Sequence, residues 1–303
     1  MTRTVSLIGA PTDIGASVRG AGMGPDALRV ARLPETLQAL GLSVEDPGNL
    51  AGPPTPWAEP VGGLRHLDGV VAWNRAVFNA VAAALAAGRF PLLMGGDHCL
   101  AIGSISAVAA HCRAAGRTLR VLWLDAHSDV NTQATSPSGN IHGMPVACLL
   151  GQGPAALTGW SGQPQALVAA DIDFLGIRSV DRDEKLAIRD LGLSVFDMRY
   201  IDEHGMRAAM TEALMDVDEN THLHVSFDLD CLDPADAPGV GTGVRGGPTY
   251  REMQLCMEMI ADTGRLGSLD VVEVNPALDV RNRTAEVAVE MIESLFGRSI
   301  LVR

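Results

Sequence analysis

The chain has 303 residues, of which 36 are acidic and 23 are basic, so its formal net charge is −13. Hydrophobic residues make up 47% of the sequence and charged residues 19%. This composition excludes an intrinsically disordered chain and leaves ample apolar material for a buried core. The acidic balance, with no basic run, argues against nucleic acid or an anionic membrane as a partner.

Short β-rich runs alternate with longer alanine- or leucine-rich segments along the whole chain. The strand candidates are Thr4–Ile8, Phe90–Met94, Arg120–Leu124, Ile172–Gly176, His222–Phe227 and Gly267–Val274. The helix candidates are Val70–Ala87, Ile102–Ala115, Glu184–Leu191, Gly205–Val217, Thr249–Asp262 and Ala285–Leu295. This alternation predicts an α/β fold with a mostly parallel central sheet and helices on both faces. Segments 47–63 and 151–165 read as surface loops, too short for linkers, so we expect a single domain over residues 1–303.

Cysteine usage and the start of the chain predict a cytoplasmic protein. The 5 cysteines are scattered and form no Cys-x-x-Cys pair, as is usual for reduced thiols in the cytosol. The residues after Met1 have neither the apolar stretch nor the small-residue cleavage site of a signal peptide. The most apolar segment, Ala76–Met94, is interrupted by Asn79, Arg89 and Pro91, so we expect no membrane span.

Three of the strand candidates end in residues that can bind metal ions. Phe90–Met94 is followed by Gly95-Gly96-Asp97-His98, Arg120–Leu124 by Asp125-Ala126-His127-Ser128-Asp129, and His222–Phe227 by Asp228-Leu229-Asp230. Ligands of open α/β sheets bind beyond the carboxyl ends of the strands, so these three ends can converge. A single Asp-x-His or Asp-x-Asp is most often a loop, a turn or a solvated strand end. Ligand-type residues at the same end of three buried strands nevertheless indicate a site.

The spacing of these residues places several ligands together. Side chains at i, i+2 and i+4 of an extended segment share one face, so Asp125, His127 and Asp129 can point together, as can Asp228 and Asp230. Four carboxylates in one cleft repel one another unless cations neutralise them, and two divalent cations balance their charge. With the imidazoles of His98 and His127, this oxygen-rich set suits Mn²⁺ better than structural zinc.

The three motifs resemble the signatures of the ureohydrolases, the family of arginases, agmatinases and their relatives. The resemblance extends from residues 20–25, Gly-Ala-Gly-Met-Gly-Pro, to residues 273–276, Glu-Val-Asn-Pro, and so covers nearly the whole chain. Within the family, segment 131–143 is similar to arginases in particular, because it carries Ser138-Gly139-Asn140 before His142-Gly143. The resemblance implies an arginase-like fold.

The resemblance also implies two Mn²⁺ ions per subunit. One would be held by His98, Asp125, Asp129 and Asp228. The other would be held by His127, Asp125, Asp228 and Asp230, so that Asp125 and Asp228 bridge the two ions. The implied reaction is hydrolysis of L-arginine to L-ornithine and urea by a hydroxide that bridges the metals.

Three residues then have implied catalytic roles. Asp129 would carry a proton to the departing amine, and Glu273 would pair with the guanidinium of the substrate. His142 would exchange protons between the site and bulk solvent, a role that suits an unperturbed pKa of about 6.5. Alone, Glu273 would read as an exposed strand-end carboxylate and His142 as a solvated loop histidine.

The resemblance further implies a set of residues that bind the substrate. Asn131 and Ser138 would bond to the α-carboxylate of arginine, with Ser136 and Asn140 nearby. Asp181 and Glu184 would receive the α-amino group, and Thr242 would orient Glu273 or the guanidinium through water. For Asn131, Ser138 and Asp181 the alternative is ordinary loop capping.

Two other functions remain open. An agmatinase, or an enzyme for another guanidino compound, would keep the metal site and change only the loop that faces the carboxylate. A catalytically silent relative would keep the fold alone, and a deacetylase-like amide hydrolase fits the three motifs poorly. The resemblance implies a homotrimer or a homohexamer.

Overall fold

A computed structural model describes residues 3–56, 58–299 and 301 of the chain. Its strands are β1 (Thr4–Ala10), β2 (Ser43–Glu45), β3 (Phe90–Gly95), β4 (Thr118–Leu124), β5 (Ile172–Leu175), β6 (Ser194–Phe196), β7 (Thr221–Asp228) and β8 (Leu266–Val272). They form one sheet in the order β2-β1-β3-β8-β7-β4-β5-β6, and neighbouring strands are parallel throughout. The prediction of a mostly parallel central sheet is confirmed.

Helices cover both faces of this sheet. They are α1 (Gly24–Val30), α2 (Leu33–Ala39), α3 (Leu67–Ala86), α4 (Ala101–Ala115), α5 (Pro145–Leu149), α6 (Arg182–Leu191), α7 (Met198–His204), α8 (Met206–Ala213), α9 (Tyr250–Asp262) and α10 (Arg283–Leu295). One apolar core joins the sheet to α1, α2 and α7–α10, and the other joins it to α3–α6. Strands covered on both sides are buried along their length, which explains why β3 reads as a continuous apolar run. Strand β7 is equally buried although polar and apolar residues alternate along it.

All twelve predicted elements are present, with ends that differ by a few residues. The elements without a sequence prediction are short: the three-residue edge strands β2 and β6, and helices α1, α2, α5 and α7. Segments of this length show too little periodicity to be recognised, and packing against the sheet stabilises them.

Helix α3 is long and apolar enough, by length and composition, to cross a membrane. In this fold it packs against β1, β3 and α4, and it buries Val70, Trp73, Val77 and Val81. Its apolar face therefore packs into the core, as in other helices of α/β proteins.

Helices α3 and α4 approach closely at a glycine. The Gly103 amide donates to Asn74 Oδ1 at 2.7 Å, and a Cβ atom at position 103 would lie 2.3 Å from the carbonyl oxygen of Asn74. Only a residue without a side chain allows this crossing.

We expect Gly103→Ala to lower the free energy of unfolding. The gain in helix propensity, about 1 kcal/mol, is smaller than the cost of overpacking a core contact, about 1–3 kcal/mol, and backbone atoms cannot move aside easily. The midpoint of thermal unfolding should fall. Gly143→Ala is the matched control, since no atom of the described residues other than its chain neighbours lies within 4 Å of the added Cβ. An equal loss of stability in both variants would contradict the explanation.

Candidate metal centre

The strand order brings the predicted ligands to one crevice. β3 leads into a turn that carries His98, β4 leads into the turn of Asp125, His127 and Asp129, and β7 ends at Asp228. Because β8 lies between β3 and β7, it delivers Glu273 to the same crevice. All these strands run in the same direction, so the crevice lies at the carboxyl edge of the sheet.

The first group of ligand atoms surrounds the ring of His98. Its Nδ1 lies 3.1 Å from Asp125 Oδ2, 3.3 Å from Asp129 Oδ2 and 3.1 Å from Asp228 Oδ2. This nitrogen is buried and has no hydrogen-bond partner among the described residues. Buried polar atoms are normally hydrogen-bonded. The nitrogen and the three carboxylate oxygens that it faces are therefore suited to bind a cation together.

The second group surrounds the ring of His127. Its Nδ1 lies 3.4 Å from Asp125 Oδ1 and 3.1 Å from Asp230 Oδ2. The two oxygens of Asp125 therefore face different imidazoles, which places this carboxylate between two possible ion positions. The donor atoms of Asp125, His127 and Asp230 lie within 4.8 Å of one another, as do those of His98, Asp125 and Asp228. The donor set fits two hard or borderline divalent ions.

Burial and mutual repulsion shift the pKa values of these carboxylates in the metal-free protein. Burial and the charge of Asp125 raise the pKa of Asp129 to about 7. Burial and the charges of Asp230 and Asp125 raise the pKa of Asp228 well above its usual range, and burial with the charge of Asp125 raises that of Asp230. Ionisation of Asp129, Asp228 and Asp230 is therefore unfavourable without cations, so metal ions and protons compete for their oxygens. Asp125 differs: it is buried too, but the neighbouring imidazoles of His127 and His98 lower its pKa.

Two residues that the sequence analysis did not single out support His98. The Trp123 ring stacks on the His98 ring with centroids 4.1 Å apart and an interplanar angle of 11°, and its Nε1–H donates to Asp125 Oδ2 at 2.9 Å. On the far side of the imidazole, Nε2 shares a hydrogen bond of 2.8 Å with Ser226 Oγ. The period of two along strands could have identified both, because Trp123 precedes Asp125 and Ser226 precedes Asp228 by two residues.

Glu273 is buried inside the crevice and is not a solvated strand end. Its side chain is 4% exposed, and its Oε1 accepts the backbone amide of His98 at 2.9 Å. Its φ is 63°, and Asp129 has a φ of 53°. These left-handed conformations are unfavourable for residues with a side chain, and such strain concentrates at functional sites.

His142 lies beside Glu273, at the open side of the crevice. Its Nδ1 is 3.6 Å from Glu273 Oε1, and its side chain is 21% exposed. Burial opposes protonation of the ring, but the neighbouring carboxylate of Glu273 and the negative charges of Asp129 and Asp97 raise the pKa of His142 to about 9. This value is above the unperturbed value that the sequence analysis expected. The ring therefore contacts both a buried carboxylate and the solvent-facing side of the site.

Two of the predicted substrate-binding residues bond to each other. Asn131 Nδ2 donates to Asp181 Oδ2 at 2.9 Å, while Asn131 Oδ1 is buried without a hydrogen-bond partner among the described residues. Glu184 lies behind them, where its Oε1 accepts from Ser128 Oγ at 2.8 Å and its Oε2 accepts the Asp181 amide at 2.9 Å. Asp181 and Glu184 also form the capping box of α6, so the predicted alternative of loop capping applies to Asp181 as well.

The remaining predicted binding residues make local contacts. Ser136 Oγ accepts the Gly139 amide at 3.0 Å, and Ser138 Oγ accepts the Asn140 amide at 3.2 Å. Asn140 bonds through its side chain to Ser17 Oγ. These bonds order the loop on one side of the crevice.

Thr242 contacts the predicted metal ligands directly. Its hydroxyl donates to Asp230 Oδ2 at 2.9 Å, the oxygen that faces His127. The structure thus records a bond to Asp230, where the sequence analysis expected orientation of Glu273 or the substrate.

Comparison with known proteins agrees with this fold. The model of the arginase family matches residues 3–297. An arginase from Brevibacillus brevis is 45% identical over 302 residues, covering 99% of this chain and all of the relative, and an arginase from Bacillus subtilis is 42% identical with the same coverage. The solved native arginase structure from Bacillus caldovelox superposes with a TM-score of 0.94 at 43% identity, covering 99% of this chain and 100% of that one. The chain therefore belongs to the arginase family and is a hydrolytic enzyme of the arginase type.

Proposed function

We propose that the protein hydrolyses L-arginine to L-ornithine and urea with two Mn²⁺ ions. The observation that supports this most directly is the pair of imidazole nitrogens, His98 Nδ1 and His127 Nδ1, each surrounded by carboxylate oxygens and joined through Asp125. The proposed ligands are those that the sequence indicates: His98, Asp125, His127, Asp129, Asp228 and Asp230. The free thiols of all five cysteines suit the reducing cytoplasm, where we propose the enzyme acts. We also propose a homotrimer or homohexamer.

Two bound divalent cations would supply a nucleophile near neutral pH by lowering the pKa of a shared water molecule. The protein residues hold the ligand atoms in position before any ion binds. The Asp125, Asp228 and Asp230 carboxylates each accept a backbone amide, at 2.6, 2.8 and 3.2 Å, respectively. Fixed ligands of this kind reduce the reorganisation that binding and catalysis require.

The substrate cation would be recognised by negative charge at one end of the crevice. Glu273, buried beside His98, is placed to pair with the guanidinium of arginine. The α-amino group would be received by Asp181 and Glu184. The α-carboxylate would be bound by Asn131 and Ser138, which offer an amide N–H and a hydroxyl as donors. The hydrogen bond from Asn131 to Asp181 supports one site for both groups.

Proton transfers would be divided between two residues. Asp129 lies 3.3 Å from His98 Nδ1, among the proposed ligands, and would take a proton from the water-derived nucleophile and pass it to the departing amine. A second proton is released when the next water molecule is converted into the nucleophile. His142, which lies beside Glu273 and is partly exposed, would pass this second proton to solvent.

The decisive assay is urea release by the Mn²⁺-loaded protein, with L-arginine and agmatine in parallel. We expect turnover of L-arginine alone, because agmatine lacks the α-carboxylate. Enzyme stripped with a chelator serves as the control and should release no urea. Turnover of agmatine alone would contradict the roles of Asn131, Ser138 and Asp181. If neither substrate releases urea, the result would indicate that the substrate is another guanidino compound or that the protein is a catalytically silent relative.

Asp129→Asn should lose turnover and weaken one of the two metal ions. We expect kcat to fall by about a hundredfold or more, the usual range for loss of a general acid or base, with an unchanged circular dichroism spectrum. Metal content is measured by atomic absorption. Asp202→Asn, at an exposed position on α7, is the matched control. Near-normal urea production with full metal content would refute the assignment of Asp129.

His142→Asn should lower kcat by less than about a hundredfold, as expected for a proton shuttle that solvent partly replaces. Its manganese content should equal that of the unmodified enzyme, because His142 holds no proposed ligand position. His204→Asn, an exposed histidine at the end of α7, controls for loss of an imidazole. A large loss of manganese in the His142 variant would show that the residue is a metal ligand and not a shuttle.

A further inference from the structure

A second cavity lies at the opposite edge of the sheet from the metal-ligand cluster. It has a volume of about 340 Å³ and opens where β1, β3, β4, β7 and β8 begin. Its basic lining residues are Arg3, Arg89, His111, Arg117, His222 and Arg265. We call this cavity the basic pocket. It shares no residue with the proposed active site.

Three guanidinium groups in the basic pocket have no acidic partner among the residues that the structure describes. In the described part of the chain, no carboxylate lies within the 4.0 Å of an ion pair from Arg3, Arg117 or Arg265. Each of them donates to backbone carbonyl oxygens instead. The acceptors belong to Leu266 for Arg3, to Asn220 and Thr221 for Arg117, and to Glu219 for Arg265. Carbonyl dipoles fix the positions of these groups but do not neutralise their charge.

Aromatic and backbone contacts hold these cations in place before any ligand binds. The guanidinium carbon of Arg3 lies 4.3 Å from the centroid of the Phe90 ring, a cation–π distance. Arg117 reaches two consecutive carbonyls, at 3.4 and 2.5 Å. Guanidinium groups that are already ordered lose little freedom when an anion binds, which favours affinity.

The pocket is electropositive although the chain as a whole is acidic. His222 is 2% exposed and shares a hydrogen bond with Ser268 Oγ at 2.9 Å. Burial, together with the positive charges of neighbouring basic groups that include Arg117 and Arg3, lowers the pKa of His222 to about 3. His222 is thus neutral near pH 7, and the positive charge of the pocket comes from its guanidinium groups.

We propose that the basic pocket binds a compact oxyanion of the phosphate class, either inorganic phosphate or the phosphate group of a small ester. The volume lies at the lower end of the range for ligand pockets. The forked geometry of a guanidinium matches the oxygens of a phosphate. Three cations without acidic partners balance the nearly two negative charges of a phosphate better than the single charge of a carboxylate.

The test is isothermal titration calorimetry of the full-length, Mn²⁺-loaded protein at constant ionic strength. The titrants are inorganic phosphate, glycerol 3-phosphate and acetate. We expect saturable binding of phosphate and much weaker binding of acetate, and the ratio of the two phosphate affinities distinguishes free phosphate from an ester. Absence of saturable phosphate binding would overturn the proposal. Heat of binding is independent of urea release, so failure of the proposed catalytic function would leave this result unaffected.

Variants show whether the anion occupies the basic pocket or the metal centre. Arg117→Gln and Arg265→Gln should each weaken phosphate binding by about tenfold or more, the effect of losing a charged hydrogen bond. Arg207→Gln removes an exposed charge on α8 and should leave the affinity unchanged. If Arg117→Gln fails to fold, Arg117→Lys takes its place in the test. The lysine keeps the positive charge but not the forked geometry of the guanidinium, so it should bind phosphate more weakly than the unmodified protein. Phosphate affinity that is unchanged in both pocket variants would place the anion elsewhere and refute the proposal.

Discussion

The structure depends on holding several carboxylates in a buried crevice where they repel one another. The protein uses the same local device at each of the three strand ends. The carboxylates of Asp97, Asp125 and Asp228 each accept the backbone amide two residues further on, at Cys99, His127 and Asp230. Such turns fix the direction of each carboxylate by local bonds. These hydrogen bonds leave part of the repulsion between the carboxylates in place. Bound cations would remove it, so the remaining repulsion favours cation binding in the crevice.

The strand order converts these local turns into one site. Strands β3, β4 and β7 are far apart in sequence, yet β3-β8-β7-β4 are neighbours in the sheet. The insertion of β8 places Glu273 between the turn of His98 and that of Asp228, where a direct bond to the His98 amide forms. The first nine residues of helix α4, which follows His98, and all of strand β3 are buried. A rigid scaffold of this kind keeps loop-borne ligands within the narrow geometry that metal chemistry requires.

The two edges of the sheet carry opposite charge. The carboxyl edge collects Asp125, Asp129, Asp228, Asp230 and Glu273, whereas the amino edge collects the guanidinium groups of the basic pocket. The net charge of −13 reveals neither the acidic nor the basic edge, because it is a sum over all residues of the chain. With two divalent cations bound to the four aspartates, Glu273 would still offer a negative charge to a cationic substrate at one edge. The guanidinium groups would attract an anionic ligand at the other edge.

The sequence by itself determined the fold class, the three strand-end motifs and their shared faces, because burial of strands and the period of two are local properties of the chain. Likewise, the resemblance to the ureohydrolases could be read from the motifs alone. Only the tertiary structure decided which side chains contact one another. The stacking of Trp123 on His98, the bond from Thr242 to Asp230, the buried position of Glu273 and the basic pocket all join residues that are distant in sequence. Such contacts follow from strand order and packing, which no local pattern specifies, and the short elements β2, β6, α1, α2, α5 and α7 were missed because packing, not periodicity, stabilises them.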